Sequence, residues 1–106
     1  SMPKPKKAAR GKHRWIGFRI ENTPSREDLG NLLKTHLEGS DWRLFDIKEI
    51  GENTLAILKT PLEKFKSTVA QINSSKEMVT ITSSGKIRLV RKRLYSTLRD
   101  DPTNTS

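Results

Sequence analysis

The sequence predicts a small α+β domain with elements in the order β-α-β-β-α-β, followed by a third, basic helix. Three observations point there. Short alternating or β-branched blocks interleave with blocks whose apolar residues recur at helical spacing. Capping residues, glycines and prolines separate those blocks. The surplus charge sits at the two ends and leaves a nearly neutral middle. Residues 1–14 carry Lys4, Lys6, Lys7, Arg10, Lys12 and Arg14 without an acid, and residues 86–99 carry Lys86, Arg88, Arg91, Lys92, Arg93 and Arg99 without an acid. Between them, nine basic residues face ten acidic ones, within an overall charge of +9.

Residues 1–12 hold two prolines, a glycine and many lysines, so a flexible basic arm is expected. Ser1 ahead of Met2 has the look of a vector residue, which would start native numbering at Met2. Arg14–Ile20 alternates, with Ile16, Phe18 and Ile20 on one face and Trp15, Gly17 and Arg19 on the other, the pattern of a strand with one face in the core. Thr23-Pro24-Ser25 opens a helix: Thr23 or Ser25 can cap it, Pro24 fits its first turn, and Glu27 and Asp28 suit its positive end. Leu29, Leu32, Leu33 and Leu37 form its stripe, and Gly39 ends it.

Arg43–Glu49 is predicted as a second strand with Phe45 and Ile47 toward the core. Gly51-Glu52-Asn53 turns the chain into a third strand, Thr54–Lys59. Thr60-Pro61-Leu62-Glu63 reads as a capping box with Thr60 as cap, opening a helix whose stripe is Leu62, Phe65, Val69 and Ile72. Asn73-Ser74-Ser75 stops it, Met78–Thr82 forms a fourth strand, and Ser83-Ser84-Gly85 breaks that strand. Ile87, Val90, Leu94 and Leu98 then fall on one face of a helix over residues 86–99. The polar tail, 100–106, is expected to be disordered. Residues 13–99 thus read as one domain, a split βαβ, ferredoxin-like or RRM-like α/β sandwich. The second and third strands are apolar at both parities, so the second sheet face needs a cover: the third helix or a protein partner.

Composition removes several functions. There is no cysteine, so disulfides, thiolate zinc sites and cysteine nucleophiles are excluded. No apolar run approaches the roughly 18–20 residues of a membrane span, and the basic N-terminus lacks a signal-peptide core. A cytoplasmic protein without membrane contact is expected. The histidines, His13 and His36, lie far apart, and adjacent Glu27 and Asp28 suit the helix dipole better than acid–base work. Ser84-Gly85-Lys86 lacks the first glycine of a phosphate loop, and Ile87 replaces its Ser or Thr. No catalytic residue is expected.

Binding chemistry is better represented. In Ser83–Leu94 a strand runs into a basic helix, whose N-terminal amides can hold an anion. Ser84 and Gly85 would allow close approach, Lys86 and Arg88 would flank a phosphate, and Arg91, Lys92 and Arg93 would extend the positive surface. Lys12, His13, Arg14 and Trp15 join the arm to the first strand, and Trp15 beside Arg19 either stacks a base or packs under the third helix. The paired aromatic motifs of an RRM are missing, so contacts to phosphates and RNA shape are expected over sequence-specific reading.

The segments KHRWIGFRI and SSGKIRLVRKRL, in this order and spacing, resemble the archaeal and eukaryotic ribonuclease P protein subunit of the Pop-five/Rpp-fourteen family. The resemblance covers about residues 12–95, with Lys12, Arg14 and Trp15 matching the first motif and Ser84, Gly85, Ile87 and Arg88 the second. Lys86 stands where the family often has a small residue. The resemblance implies an RRM-like fold and an accessory role in 5′ leader removal from precursor tRNA. It implies ribonuclease P RNA as catalyst, with Mg2+ used by that RNA and no cofactor bound by the protein. It implies a barrel-shaped partner subunit of the Rpp-thirty type and indirect contact with precursor tRNA. The short chain without an acidic tail suggests the archaeal type. A general RNA-binding or ribosome-associated module would share the charge pattern without needing the barrel partner.

Overall fold

The computed structural model describes residues 12–22, 25–39 and 41–99. The expected arm beyond Lys12 and the expected tail, 100–106, lie outside the described residues, as do Thr23 and Pro24. Four strands, β1 (His13–Glu21), β2 (Arg43–Ile50), β3 (Asn53–Pro61) and β4 (Met78–Ser84), form one antiparallel sheet in the order β2-β3-β1-β4. Three helices accompany it: α1 (Arg26–His36), α2 (Phe65–Asn73) and α3 (Ile87–Arg99).

α1 forms as its sequence dictates. The Ser25 hydroxyl accepts the Asp28 amide at 3.1 Å, and Glu27 and Asp28 occupy the first turn. Leu29 and Leu33 are fully buried, and Leu37 closes the helix by donating its amide to the Leu33 carbonyl at 2.7 Å. Gly39 follows at φ +72°, a left-handed conformation that glycine adopts without steric cost.

α2 departs from expectation. Thr60 does not cap it; β3 continues through Pro61, a 3-10 turn spans Leu62–Lys64, and α2 begins at Phe65 without a side-chain cap. The reason is pairing: β1 reaches back to His13 opposite Pro61, and the Leu62 amide donates to the Lys12 carbonyl at 3.3 Å. The backbone at 60–61 is held in the sheet. The Thr60 hydroxyl instead meets that of Thr68 at 3.2 Å, buried beneath α2. Leu62, expected in the stripe, is exposed, and Thr68 takes a buried place beside Ile72.

β2 holds a second departure. The β2–β3 register shifts between Leu44 and Asp46, leaving Phe45 as an extra residue. A bulge reverses the alternation beyond it. Leu44 and Ile47 therefore join the main core, while Phe45 turns to the opposite face and stays exposed.

The sheet is covered on both faces. One carries the main core, built from Ile16, Phe18 and Ile20 of β1, Ala56 and Leu58 of β3, Met78 of β4, and the stripes of α1 and α2. The other carries a smaller core of Leu55, Ile57, Val90 and Leu94, with Trp15, Ile50, Ile87 and Tyr95 at its edges. α3 is therefore the cover that the apolar outer face required. It sits close because Gly17 lacks a side chain: a Cβ there would lie 3.0 Å from a Val90 methyl and 3.2 Å from a Leu94 methyl. Burying a Val or Leu contributes about 1.5–3 kcal/mol, so Val90 and Leu94 supply most of the attraction that docks α3.

Candidate nucleic-acid interface

Strand pairing decides which basic residues meet. Trp15 of β1 pairs with Ser84 of β4, so the Lys12–Trp15 segment lies beside the start of α3. Trp15 also pairs with Lys59 of β3, which pairs with Arg43 of β2. One end of the sheet thus gathers the beginning of β1, the beginning of β2, the end of β3, and the β4–α3 junction.

At that junction the Ser84 hydroxyl accepts the Lys86 amide at 3.2 Å, and the Lys86 carbonyl accepts the amides of Leu89 and Val90 at 3.1 and 3.3 Å. The Ile87 and Arg88 amides head the helix, where intrahelical acceptors are lacking. Lys86 and Arg88 are exposed beside them. Gly85 has an ordinary φ, and a Cβ on it would meet nothing within 4 Å. Nothing in the isolated fold requires glycine at this position. A ligand pressed against the backbone would require it.

Further along α3 the basic residues have different tasks. Arg91 donates Nε to Asp46 Oδ2 at 2.7 Å and Nη2 to Asp46 Oδ1 at 3.1 Å, a fork across to β2. The Arg91 guanidinium holds the Asp46 carboxyl below the usual carboxylate range against the opposing effect of burial. Asp46 in turn raises Arg91, and burial followed by the Asp46 charge raises the Tyr95 phenol, whose hydroxyl lies 3.4 Å from Asp46 Oδ2. Arg91 is therefore committed to fastening α3. Arg93 donates to the Ser83 carbonyl at 3.2 Å, while Lys92 faces outward.

The first basic segment divides between the two faces. Arg14 points to the main-core side, with its guanidinium 5.5 Å from the Phe65 ring centroid. Trp15 points to the α3 side and is half-buried at the margin of the smaller core. Its ring meets Phe45 edge-on at 4.7 Å and His13 at 5.8 Å, and the Lys59 ammonium lies 5.5 Å from it. These neighbours make it a packing residue first. Arg19, exposed, pairs with Leu55 and Val79 four residues further along β1, about 13 Å from Trp15 at roughly 3.3 Å per residue. It stands outside the cluster at the sheet end.

Two residues of that end, Arg43 and Lys59, lie in the nearly neutral middle of the sequence and carry no local signal. Hairpin pairing could have suggested their proximity, but a continuous register would have set Arg43 opposite Thr60. The Phe45 bulge moves it opposite Lys59.

Comparison with models of known families, with curated proteins and with solved structures gives no match. Among the described residues no cluster of three or more His, Asp or Glu side chains could hold a metal ion, and no helix is long and apolar enough to cross a membrane.

Proposed function

We propose that this chain is an RNA-binding accessory subunit of ribonuclease P, assisting the catalytic RNA in removing the 5′ leader of precursor tRNA. One observation carries the reading. The segments resembling that family, KHRW and SSGKIR, are far apart in sequence and adjacent in space, joined by the Trp15–Ser84 pairing. They present cations beside an open helix N-terminus, an arrangement suited to phosphate. The finer fold assignment, an RRM-like or ferredoxin-like sandwich, belongs to the same proposal. It is supported by the central position of β1 and β3 and by the antiparallel strand that splits each βαβ unit. α3 is an addition that closes the sheet face on which an RRM stacks its bases, so the reading relies on phosphate contacts at the sheet end.

Within this proposal the catalyst is the RNA, Mg2+ serves the RNA, and a barrel-shaped protein of the Rpp-thirty type is the protein partner. Reconstitution tests it: precursor-tRNA cleavage by the RNA subunit at low magnesium, with the barrel partner, with and without this chain. The expected result is faster cleavage when the chain is added. Equal rates would overturn the assignment to ribonuclease P.

A further inference from the structure

A cleft of about 170 Å³ opens at the same end of the sheet, lined by Lys12, His13, Asp41, Arg43 and Lys59 with Thr60 and Pro61. It is separate from the α3 N-terminus, and no sequence motif marks it. Three features give it an unusual charge. Arg43 and Lys59 are direct cross-strand partners, and like charges placed opposite one another destabilise a sheet. Neither makes an ion pair with a described residue. The one carboxylate on the cleft, Asp41, is already bound to the Lys64 ammonium at 3.0 Å, and that contact holds its carboxyl below the usual range. The cleft therefore concentrates cations whose local counter-charge is engaged elsewhere.

We propose that this cleft binds a phosphate group, and specifically a backbone phosphate of RNA, with Arg43, Lys59 and Lys12 as its ligands. At about 170 Å³ it is a small, open cleft. That suits one tetrahedral oxyanion reached from solvent. Arg43 can offer two parallel N–H donors to two phosphate oxygens, and Lys59 and Lys12 add point charges. The bound anion would relieve the Arg43–Lys59 repulsion. The neighbouring aromatic residues favour a nucleic-acid source over free phosphate: Trp15 lies under Lys59, and Phe45, 39% exposed, packs on Trp15. A strand whose phosphate enters the cleft would bring its base toward the exposed Phe45 edge. The same strand, followed across Trp15, reaches Ser84 and Lys86. The cleft thus extends the α3 phosphate site into a track across the sheet end.

This inference rests on the RNA-binding part of the proposed function and not on the assignment to ribonuclease P. The test measures binding of a single-stranded RNA dodecamer as a function of salt, for the wild-type chain, the double variant Arg43→Gln/Lys59→Gln, and the double variant Lys86→Gln/Arg88→Gln. Each phosphate contact contributes about 0.7 to the slope of log K against log salt for single strands. The cleft variant is expected to bind more weakly and to lose about 0.7 of slope or more, while its thermal midpoint stays level or rises. An unchanged slope would overturn the proposal, even if the Lys86/Arg88 variant is impaired. A parallel titration with inorganic phosphate, read by amide chemical shifts, separates the sources. Shifts at residues 12–13, 43 and 59–60 with RNA but not with free phosphate support the RNA phosphate. Shifts with free phosphate and none with RNA overturn that source. If cleavage assistance fails in reconstitution while the cleft variant still loses slope, the cleft stands and the ribonuclease P assignment falls.

Discussion

The two faces of the sheet are built from the same strands and differ in kind. Among the described residues, the α1/α2 face buries a cluster of ten hydrophobic side chains, with Ile16, Phe18, Leu29, Leu33, Leu58 and Ile72 without exposure. The α3 face, among the same described residues, buries four, Leu55, Ile57, Val90 and Leu94, and ends in half-buried aromatics and charge. The first face has apolar redundancy, so it can carry the stability of the domain. The second depends on a few contacts, a glycine and an ion pair, and its open end is where the cations gather. A small domain has little stability to spare, and placing the charged end beside the lesser core leaves the larger core undisturbed.

The comparison breaks most directly at Phe18. Phe18→Ala is expected to cost about 3–5 kcal/mol, enough to leave much of the population unfolded at the zero-urea start of a urea titration. A loss below about 1 kcal/mol would mean the main core does not carry the fold.

Leu94→Ala should cost less, about 2–3 kcal/mol, the low end for a buried leucine. Its effect should be local. Hydrogen exchange is expected to show α3 amides losing protection while β1 and β3 amides keep theirs. Collapse of protection in all strands together would show that the two faces are one cooperative unit.

Gly17→Ala sharpens the point. The added methyl meets Val90 and Leu94 at 3.0–3.2 Å. Overpacking costs roughly 1–3 kcal/mol, and the lower entropy of the unfolded alanine chain returns about 0.4–1 kcal/mol. A net loss near 1 kcal/mol is expected. It should come with a red shift of Trp15 fluorescence, measured in a Trp42→Phe background. An unshifted spectrum would place α3 further from β1 than described.

Acid should loosen the α3 face selectively. Asp46 is held below its ordinary value by Arg91, so the stability it contributes is present above an unfolded aspartate pKa of about 3.9. That stability is lost as pH falls through the lower folded value. Asp46→Asn should flatten this acid limb in the Trp15 signal while leaving the urea midpoint at pH 7 only slightly lower. An unaltered acid limb would assign it to other carboxylates, Asp41 included.

The smallest effect on folding belongs to Gly85→Ala. With no atom within 4 Å of the added Cβ and no positive φ, stability should change by less than about 0.5 kcal/mol. RNA affinity should nonetheless fall. Full affinity in the variant would mean that no ligand approaches the backbone there.

Much of this was legible beforehand. The leucine stripe of α1 is local and fell where spacing put it; of the two candidate caps, Thr23 and Ser25, Ser25 caps the helix, and the helix ends at His36 with Leu37 extended, two residues before the left-handed Gly39. The apolar residues at both parities of β3 announced a second covered face, with the third helix or a protein partner as its cover, and the structure seats Val90 and Leu94 of the helix there. At the candidate site, Lys86 and Arg88 stand exposed at the helix head, whereas Ser84 is buried there, its hydroxyl turned to the Lys86 amide. Arg91 was read as part of the same positive surface because its partner, Asp46, is 45 positions away.

By itself, the sequence determined the elements, their apolar faces and the concentration of charge in two segments, because these follow from residues within a turn or a strand of one another. Only the tertiary structure decided which charges meet. The Thr60 cap lost to β1–β3 pairing because sheet hydrogen bonds held the backbone at Pro61. The Phe45 bulge reversed one stretch of β2 and set Arg43 against Lys59. Register is a property of two strands at once: a slip of one residue exchanges the faces of a whole segment. No single stretch of this chain encodes that choice, and the cleft at the sheet end follows from it.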